Sequence, residues 1–113
     1  MTAARLDGLD DDSLGFSIDV VALDFETRVT LRGEIDLTVR EEISRVLDEV
    51  AIGGRRVVLD VSGVSFLDST GIGAFARAAA SGSEVWVVNP QPAVRRALEV
   101  SGIDHVVRIV DDD

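Results

Sequence analysis

The segment RVVLDVSG, residues 56–63, constrains the fold of this 113-residue chain more than any other. Its apolar residues are mostly valines that follow one another without helical spacing, which is typical of a strand buried on both faces. The segments EVWVV (84–88) and VVRIV (106–110) have the same character. Helical patterns separate the three segments. This strand–helix alternation predicts a parallel sheet with helices packed against it.

Two further strands are predicted before these, in FSIDVVAL (16–23) and ETRVTLRG (26–33). In the second, Val29 and Leu31 alternate with polar residues, which indicates a strand with one solvated face. The link between the two segments is short, and this favours an antiparallel hairpin.

Three helices complete the pattern. The first is predicted to begin with the T-x-x-E capping box of Thr38 and Glu41 and to end at the paired glycines 53 and 54. The second spans Ser69 to Ala80, and the third begins in the N-P-Q-P segment (89–92), where proline fits the first turn, and ends at Gly102. The residues expected to face inward on the second helix are Ile72, Phe75, Ala76 and Ala79. The order β-β-α-β-α-β-α-β predicts an α/β fold with a mixed sheet and packed helices, in a single domain.

The charge is strongly acidic, with 21 Asp and Glu against 11 basic residues and a net charge of −10. Such a chain lacks the basic surface that nucleic acids or anionic membranes require, so neither is an expected partner. Several of the acids lie at the two ends. We expect residues 1–13 to be a disordered acidic N-terminus, residues 14–110 to be the domain, and residues 111–113 to be an acidic tail.

The residue types that are missing exclude several chemistries. The chain has no Cys and no Lys, and its only His is His105. Disulfides, a P-loop lysine, Schiff-base chemistry and a multi-His metal site are therefore excluded, and no cofactor is expected. No apolar stretch reaches the roughly 20 residues of a membrane span, and the N-terminus lacks a signal-peptide core. These features predict a cytoplasmic location.

The segment SFLDSTGIG, residues 65–73, carries the candidate site. A nucleophilic Ser69 is disfavoured because Leu67 stands where the G-x-S-x-G elbow needs glycine. Gly71 and Gly73 resemble only part of a phosphate-binding loop, and no Lys supports it. A phosphate-accepting aspartate of the receiver type fails because it needs both a Lys and a pair of adjacent acids.

Two interpretations of Ser69 remain open on local grounds. Its hydroxyl could cap the helix, as could those of its neighbours in D-S-T. It could also accept a phosphoryl group, which would add a charge of about −1.5 to −2. The helix dipole favours that charge, whereas Asp68 and Asp36 would repel it, so a docked partner would be expelled while the fold survived. Both roles require a hydroxyl at a helix start, so local physics alone does not separate them.

Three separated segments together resemble the STAS domain, and in particular the anti-sigma factor antagonists of bacterial partner-switching systems. They are GEID (33–36), VVLDVSGVSFLDSTGIGAF (57–75) and VNPQPAVRRALEVSGID (88–104). The resemblance implies a binding protein rather than an enzyme. The unphosphorylated antagonist binds an anti-sigma factor that is also a GHKL-type serine kinase, and thereby regulates sigma-factor-dependent transcription. Phosphorylation ends the binding, and a PP2C-type phosphatase reverses it.

The resemblance assigns roles to individual residues. Ser69 becomes the phosphorylation site as well as a helix cap, Asp36 matches the acid of the G-E-[LI]-D motif, and Asp68 and Thr70 shape the loop. The residues expected to bind the partner are Asp36, Asp68, Thr70, Gly71 and Ile72. An alternative within the family is a STAS scaffold that is not phosphorylated, or a module that senses a nucleotide or a lipid.

The helix between Gly71 and Glu84 is shorter than the family pattern by about one turn, or four residues. Its outer face is expected to hold Ala78 and Ala80 and to form a bland contact patch beside Arg77. Elsewhere, Trp86 is expected in the core and His105 in a structural role.

Overall fold

The computed structural model describes residues 2–5 and 15–111. These residues form a six-stranded mixed sheet with three α-helices. The strands are β1 Thr2–Arg5, β2 Phe16–Ala22, β3 Glu26–Ile35, β4 Arg56–Leu67, β5 Val85–Val88 and β6 Arg108–Val110. The helices are α1 Arg40–Ile52, α2 Ser69–Ala80 and α3 Pro92–Ser101. The five predicted strands and three predicted helices are confirmed in their predicted order.

The strands lie side by side in chain order from β1 to β6. The pairs β1–β2 and β2–β3 are antiparallel, and the pairs from β3 to β6 are parallel. The predicted hairpin and the parallel crossovers are therefore both present. The carboxyl ends of β3, β4 and β5 consequently meet at one edge of the sheet, and the loops that follow these strands are neighbours.

Strand β1 is not among the predicted elements, because residues 1–13 carry no strand periodicity. Thr2–Arg5 nevertheless pairs along β2, from Thr2 opposite Ala22 to Arg5 opposite Asp19. The hydrogen-bonding groups on the free edge of β2 accept this partner whatever its side chains are. The rest of the predicted acidic ends, residues 6–14 and 112–113, lies outside the described residues.

The core lies on one face of the sheet. Val57, Leu59 and Val61 of β4 point into it and meet buried side chains from all three helices. The predicted burial of this strand on both faces is correct for Val58 but not for Asp60, which is half-buried. Val58 is buried because its cross-strand neighbours, Arg28 and Trp86, are long side chains that cover it.

Trp86 lies on the other face, so its predicted place in the core is wrong. Strand β5 alternates, and Val85 and Val87 take the core positions. The indole N–H donates to Glu84 Oε2 at 2.6 Å, and the Arg56 guanidinium lies 4.3 Å from the ring centroid. The polar end of the indole therefore has a carboxylate partner that a core position would not offer.

Helix α2 is rotated from the predicted orientation. Its buried residues are Gly71, Ala74, Phe75 and Ala78. Three residues that were expected to face fully inward are only partly buried against the core: Ile72, Ala76 and Ala79. Ala78, predicted on the outer face, is 1% exposed. An alanine-rich helix has few polar side chains to mark its outer face. The sequence pattern therefore did not fix which residues of α2 face the core, and the predicted set is displaced by about one residue.

Candidate functional site

The candidate site lies at the carboxyl edge of the parallel strands. Asp36 follows β3 and Asp68 follows β4, which are adjacent and parallel in the sheet. The backbone N–H of Asp68 donates to the carbonyl oxygen of Ile35 at 3.2 Å. This hydrogen bond joins the two loops, so the acid of GEID and the D-S-T segment lie side by side.

Asp68 is the residue that caps α2. Its backbone is extended, and its carboxylate accepts the N–H of Thr70 at 2.8 Å. Ser69 is therefore the first residue inside the helix, and the prediction that Ser69 caps it is wrong. Asp68, Ser69 and Thr70 all have side chains that can cap a helix, so the sequence does not show which of them is the N-cap. The backbone hydrogen bond from Asp68 to Ile35 holds Asp68 in the extended conformation that an N-cap needs.

The Ser69 side chain is consequently free. The residue is exposed, and its hydroxyl makes no hydrogen bond within the part of the chain that the structure describes. It stands in the first turn of a 12-residue helix, where the positive end of the helix dipole lies. The hydroxyl is thus accessible to an external reactant, in surroundings that tolerate added negative charge.

Asp36 caps a short element that is not among the predicted ones. A 3-10 turn, Leu37–Val39, precedes α1, and Asp36 is its N-cap. The Asp36 Oδ1 atom accepts the Thr38 N–H at 2.9 Å and the Thr38 hydroxyl at 2.6 Å. These bonds, the hydroxyl bond first, lower the pKa of Asp36 below its ordinary value.

The predicted capping box of Thr38 and Glu41 is therefore wrong. The residue that precedes α1 is Val39, and it makes no side-chain cap. The Thr38 hydroxyl is already donated to Asp36, because the chain enters α1 through the 3-10 turn.

The other predicted site residues differ in their exposure. Thr70 and Ile72 are half-buried, and Ile72 packs against the core. Gly71 is buried, and a Cβ atom there would overlap Leu67 Cδ1 and would lie 2.7 Å from Ile35 Cγ2. Gly73 is exposed, and a Cβ atom there would meet nothing within 4 Å.

Two exposed apolar residues beside the site were missed from the sequence. Leu37 directly follows Asp36 and is 66% exposed, and Phe66 lies near the end of β4 and is 49% exposed. Phe66 is opposite Glu34 in the strand register. The available signal was that Leu37 is an isolated apolar residue between two polar ones at a strand end, where it has no place in a periodic pattern.

A groove of about 650 Å³ runs from this edge between α1 and α2. Its lining includes Leu37, Thr38, Glu41, Asp48 and Arg77. Arg77 Nε lies 3.8 Å from Asp48 Oδ1, and this ion pair joins the two helices across the groove. The groove is polar apart from Leu37, so it offers hydrogen-bonding and charged groups rather than an apolar cavity.

The arrangement does not bring His105 to Ser69. His105 lies in the 3-10 turn Ile103–His105 that leads to the start of β6, at the opposite edge of the sheet. Within residues 2–5 and 15–111, no cluster of His, Cys, Asp and Glu could hold a metal ion. In the same residues, no helix is long and apolar enough to cross a membrane.

The family model described as "Mlab, STAS domain" matches residues 18–111, which is most of the chain. The chain belongs to the STAS domain family. The family resemblance expected from the GEID and FLDSTGIG segments is therefore confirmed. A curated relative, a STAS-domain containing protein of Pseudomonas aeruginosa, is 25% identical over 88 residues, which are 74% of this chain and 87% of the relative.

Solved structures share the fold. An anti-sigma factor antagonist from Mycobacterium paratuberculosis has a TM-score of 0.76 at 24% identity, covering 93% of this chain and 90% of that one. The anti-sigma factor antagonist SpoIIAA in its unphosphorylated form has a TM-score of 0.68 at 23% identity, covering 87% and 88%. The phosphorylated form of SpoIIAA, from Bacillus, has a TM-score of 0.65 at 20% identity, covering 87% and 91%. At these identities the likeness establishes that this STAS domain has the same fold as those proteins.

Proposed function

We propose that this STAS-domain protein is an anti-sigma factor antagonist whose binding is switched by phosphorylation of Ser69. The proposal is supported chiefly by the different roles of Asp68 and Ser69 at the start of α2. Asp68 caps the helix, and this leaves the exposed Ser69 hydroxyl without a hydrogen-bond partner among the described residues. A kinase can therefore use that hydroxyl without first breaking a structural hydrogen bond.

The charges around Ser69 support a switch rather than a constitutive contact. A phosphoryl group adds a charge of about −1.5 to −2. The dipole of α2 stabilises that charge, so the fold is retained. Asp68 is adjacent in sequence, and Asp36 lies in the loop joined to it through Ile35. The added charge makes this acidic edge more negative, and we expect it to expel a partner whose groups approach Ser69.

The binding surface that fits this function centres on Asp36, Asp68, Thr70 and Ile72. Leu37 and Phe66 add exposed apolar area of the kind that interfaces bury. Gly71 was also expected to contact the partner, but it is buried, and its contribution is the close packing of α2 against β3 and β4. Gly73 is open to solvent and allows a partner backbone to approach the helix closely.

The proposed partners follow from this function. The antagonist binds an anti-sigma factor that is a GHKL-type serine kinase, and a PP2C-type phosphatase restores the unphosphorylated form. The protein acts in the cytoplasm as a non-enzymatic regulator of sigma-factor-dependent transcription. His105 lies at the opposite edge of the sheet from Ser69, so the described residues form no serine–histidine pair there.

The modification is tested by incubating the protein with ATP and each purified GHKL kinase of its source organism, with intact-mass detection. We expect the gain of one phosphoryl group, which Ser69→Ala abolishes. Ser65→Ala is the matched control, because Ser65 is an exposed serine four residues earlier, and it should leave the gain unchanged. Thr70→Ala shows whether the neighbouring hydroxyl is also modified. If no kinase adds a phosphoryl group to the wild type, the switch is refuted and a non-phosphorylated scaffold is favoured.

The effect of the charge is tested with Ser69→Asp and Ser69→Asn, which have similar volumes. Both variants should keep the circular dichroism spectrum of the wild type. Ser69→Asp should bind the kinase at least tenfold more weakly than Ser69→Asn, which corresponds to about 1.4 kcal/mol. Equal affinity of the two variants would refute electrostatic expulsion.

A further inference from the structure

Thr38 holds Asp36 more firmly than Thr70 holds Asp68. The two loops share the order Asp-x-Thr, and in each the carboxylate accepts the N–H of the threonine, at 2.9 Å and 2.8 Å. Only Thr38 also donates its hydroxyl, at 2.6 Å to Asp36 Oδ1. The Thr70 hydroxyl makes no hydrogen bond to the described residues.

The double contact leaves the two carboxylate oxygens of Asp36 in different states. Oδ1 accepts both bonds from Thr38, whereas Oδ2 accepts none from the rest of the described chain. Two bonds to one oxygen fix the side chain in a single orientation, although the residue is only half-buried. A group that is ordered before binding loses less conformational entropy when it binds.

We propose that Thr38 is a positioning residue, whose hydroxyl orients Asp36 so that Oδ2 accepts a hydrogen bond from a cationic side chain of the anti-sigma factor. The inference rests on the function proposed above and assigns a role to a residue outside the three segments that resemble the STAS family. The chemistry of the donor follows from the edge itself. Asp36, Asp68 and Glu34 make it acidic, and an ionised acceptor favours a charged donor such as Arg or Lys.

The test compares Thr38→Val with Thr38→Ser. Valine keeps the shape and the backbone N–H but removes the hydroxyl, and serine restores the hydroxyl. The first readout is the pKa of Asp36, measured by carboxyl-carbon NMR on the free protein. We expect Thr38→Val to raise this pKa toward its ordinary value of 3.8 and Thr38→Ser to return it to the wild-type value. Thr70→Val is the matched control and should leave the pKa of Asp36 unchanged.

The second readout is affinity for the purified GHKL anti-sigma factor that binds the wild type, measured by calorimetry. Loss of one orienting hydrogen bond should weaken binding by about two- to tenfold in Thr38→Val, with recovery in Thr38→Ser. Asp36→Asn should weaken binding in either threonine background, and Thr38→Val should add little to it.

The outcomes separate this inference from the proposed function. If the pKa of Asp36 does not move in Thr38→Val, the hydroxyl does not hold the carboxylate, and the inference is overturned. It is also overturned if the pKa rises while affinity stays at the wild-type level. In both cases the proposed function stands. If no GHKL anti-sigma factor binds the wild type, the proposed function fails, and the inference fails with it.

Discussion

At the scale of single residues, Gly71 and Gly73 have opposite relations to their surroundings. Gly71 is buried where α2 crosses the ends of β3 and β4, and no side chain fits there without moving Ile35 or Leu67. Gly73 faces open space and has an ordinary helical backbone. Packing therefore requires glycine at position 71 but not at position 73, and we expect Gly73 to serve partner binding instead.

We expect Gly71→Ala and Gly73→Ala to change stability in opposite directions. Overpacking at position 71 should lower the free energy of unfolding by roughly 1–2 kcal/mol. Alanine at position 73 should raise it by about 0.5–1 kcal/mol, because glycine is the poorer helix former. Urea denaturation of both variants measures the difference. Equal changes in the free energy of unfolding would show that Ile35 and Leu67 move aside for an alanine at position 71 without loss of stability. A loss of stability in Gly73→Ala would show that Gly73 is required for packing, contrary to this prediction.

The roles of Asp68 and Ser69 show how far residue-level prediction reaches. The sequence correctly places a helix start in the D-S-T segment, because all three side chains have capping chemistry. It does not identify which residue caps, since that depends on the backbone angles of each position. The Asp68 N–H donates to the carbonyl oxygen of Ile35, which lies in a different strand, and this contact makes Asp68 the N-cap residue. The availability of Ser69 follows from that selection.

At the scale of elements, α2 illustrates a correct helix with an incorrect face. Its length and ends match the prediction from Ser69 to Ala80. Its rotation is set by the contact of Gly71 with Ile35 and Leu67, which lie in other elements. Ala78 consequently faces the core, and Ala80 alone of the expected outer pair is exposed.

The orientation of α2 predicts unequal effects of glutamine at these two alanines. Ala78→Gln should lower the free energy of unfolding by roughly 2–3 kcal/mol, because it buries an amide and overfills the core. Ala80→Gln should change it by less than about 0.5 kcal/mol, as surface substitutions usually do. Thermal and urea unfolding of the pair provide the measurement. Similar small effects at both positions would mean that Ala78 lies on the outer face after all.

At the scale of the fold, the helices within residues 2–5 and 15–111 cover only one face of the sheet. The other face carries a charged network around Trp86. Arg56 Nε lies 3.5 Å from Glu84 Oε1, and the Arg108 guanidinium lies 5.2 Å from the centre of the indole ring. The bond from Trp86 and the charge of Arg56 lower the pKa of Glu84, with the Trp86 bond the larger cause. Trp86 is the only tryptophan, so its fluorescence reports on this face.

The pH dependence of this network has a defined sign. The pKa of Glu84 is lower in the folded protein than its ordinary value of 4.5. Its stabilising contribution is therefore complete above pH 4.5 and is lost as the pH falls through the folded pKa. We expect Trp86 emission to change with a midpoint below pH 4.5 while the protein remains folded. Glu84→Gln should remove this step, and Glu99→Gln, on the exposed side of α3, should not.

Local sequence patterns are enough to predict the order of strands and helices, the hairpin and the parallel crossovers, and the loop that carries Ser69. These follow from periodicity and turn residues, which act over a few neighbouring positions. The folded structure is needed to establish the buried face of α2, the sheet face on which Trp86 lies, the pairing of β1, and the lack of a hydrogen-bond partner for the Ser69 hydroxyl among the described residues. Each of these depends on contacts between residues far apart in the chain, and local patterns contain no information about which distant groups will meet.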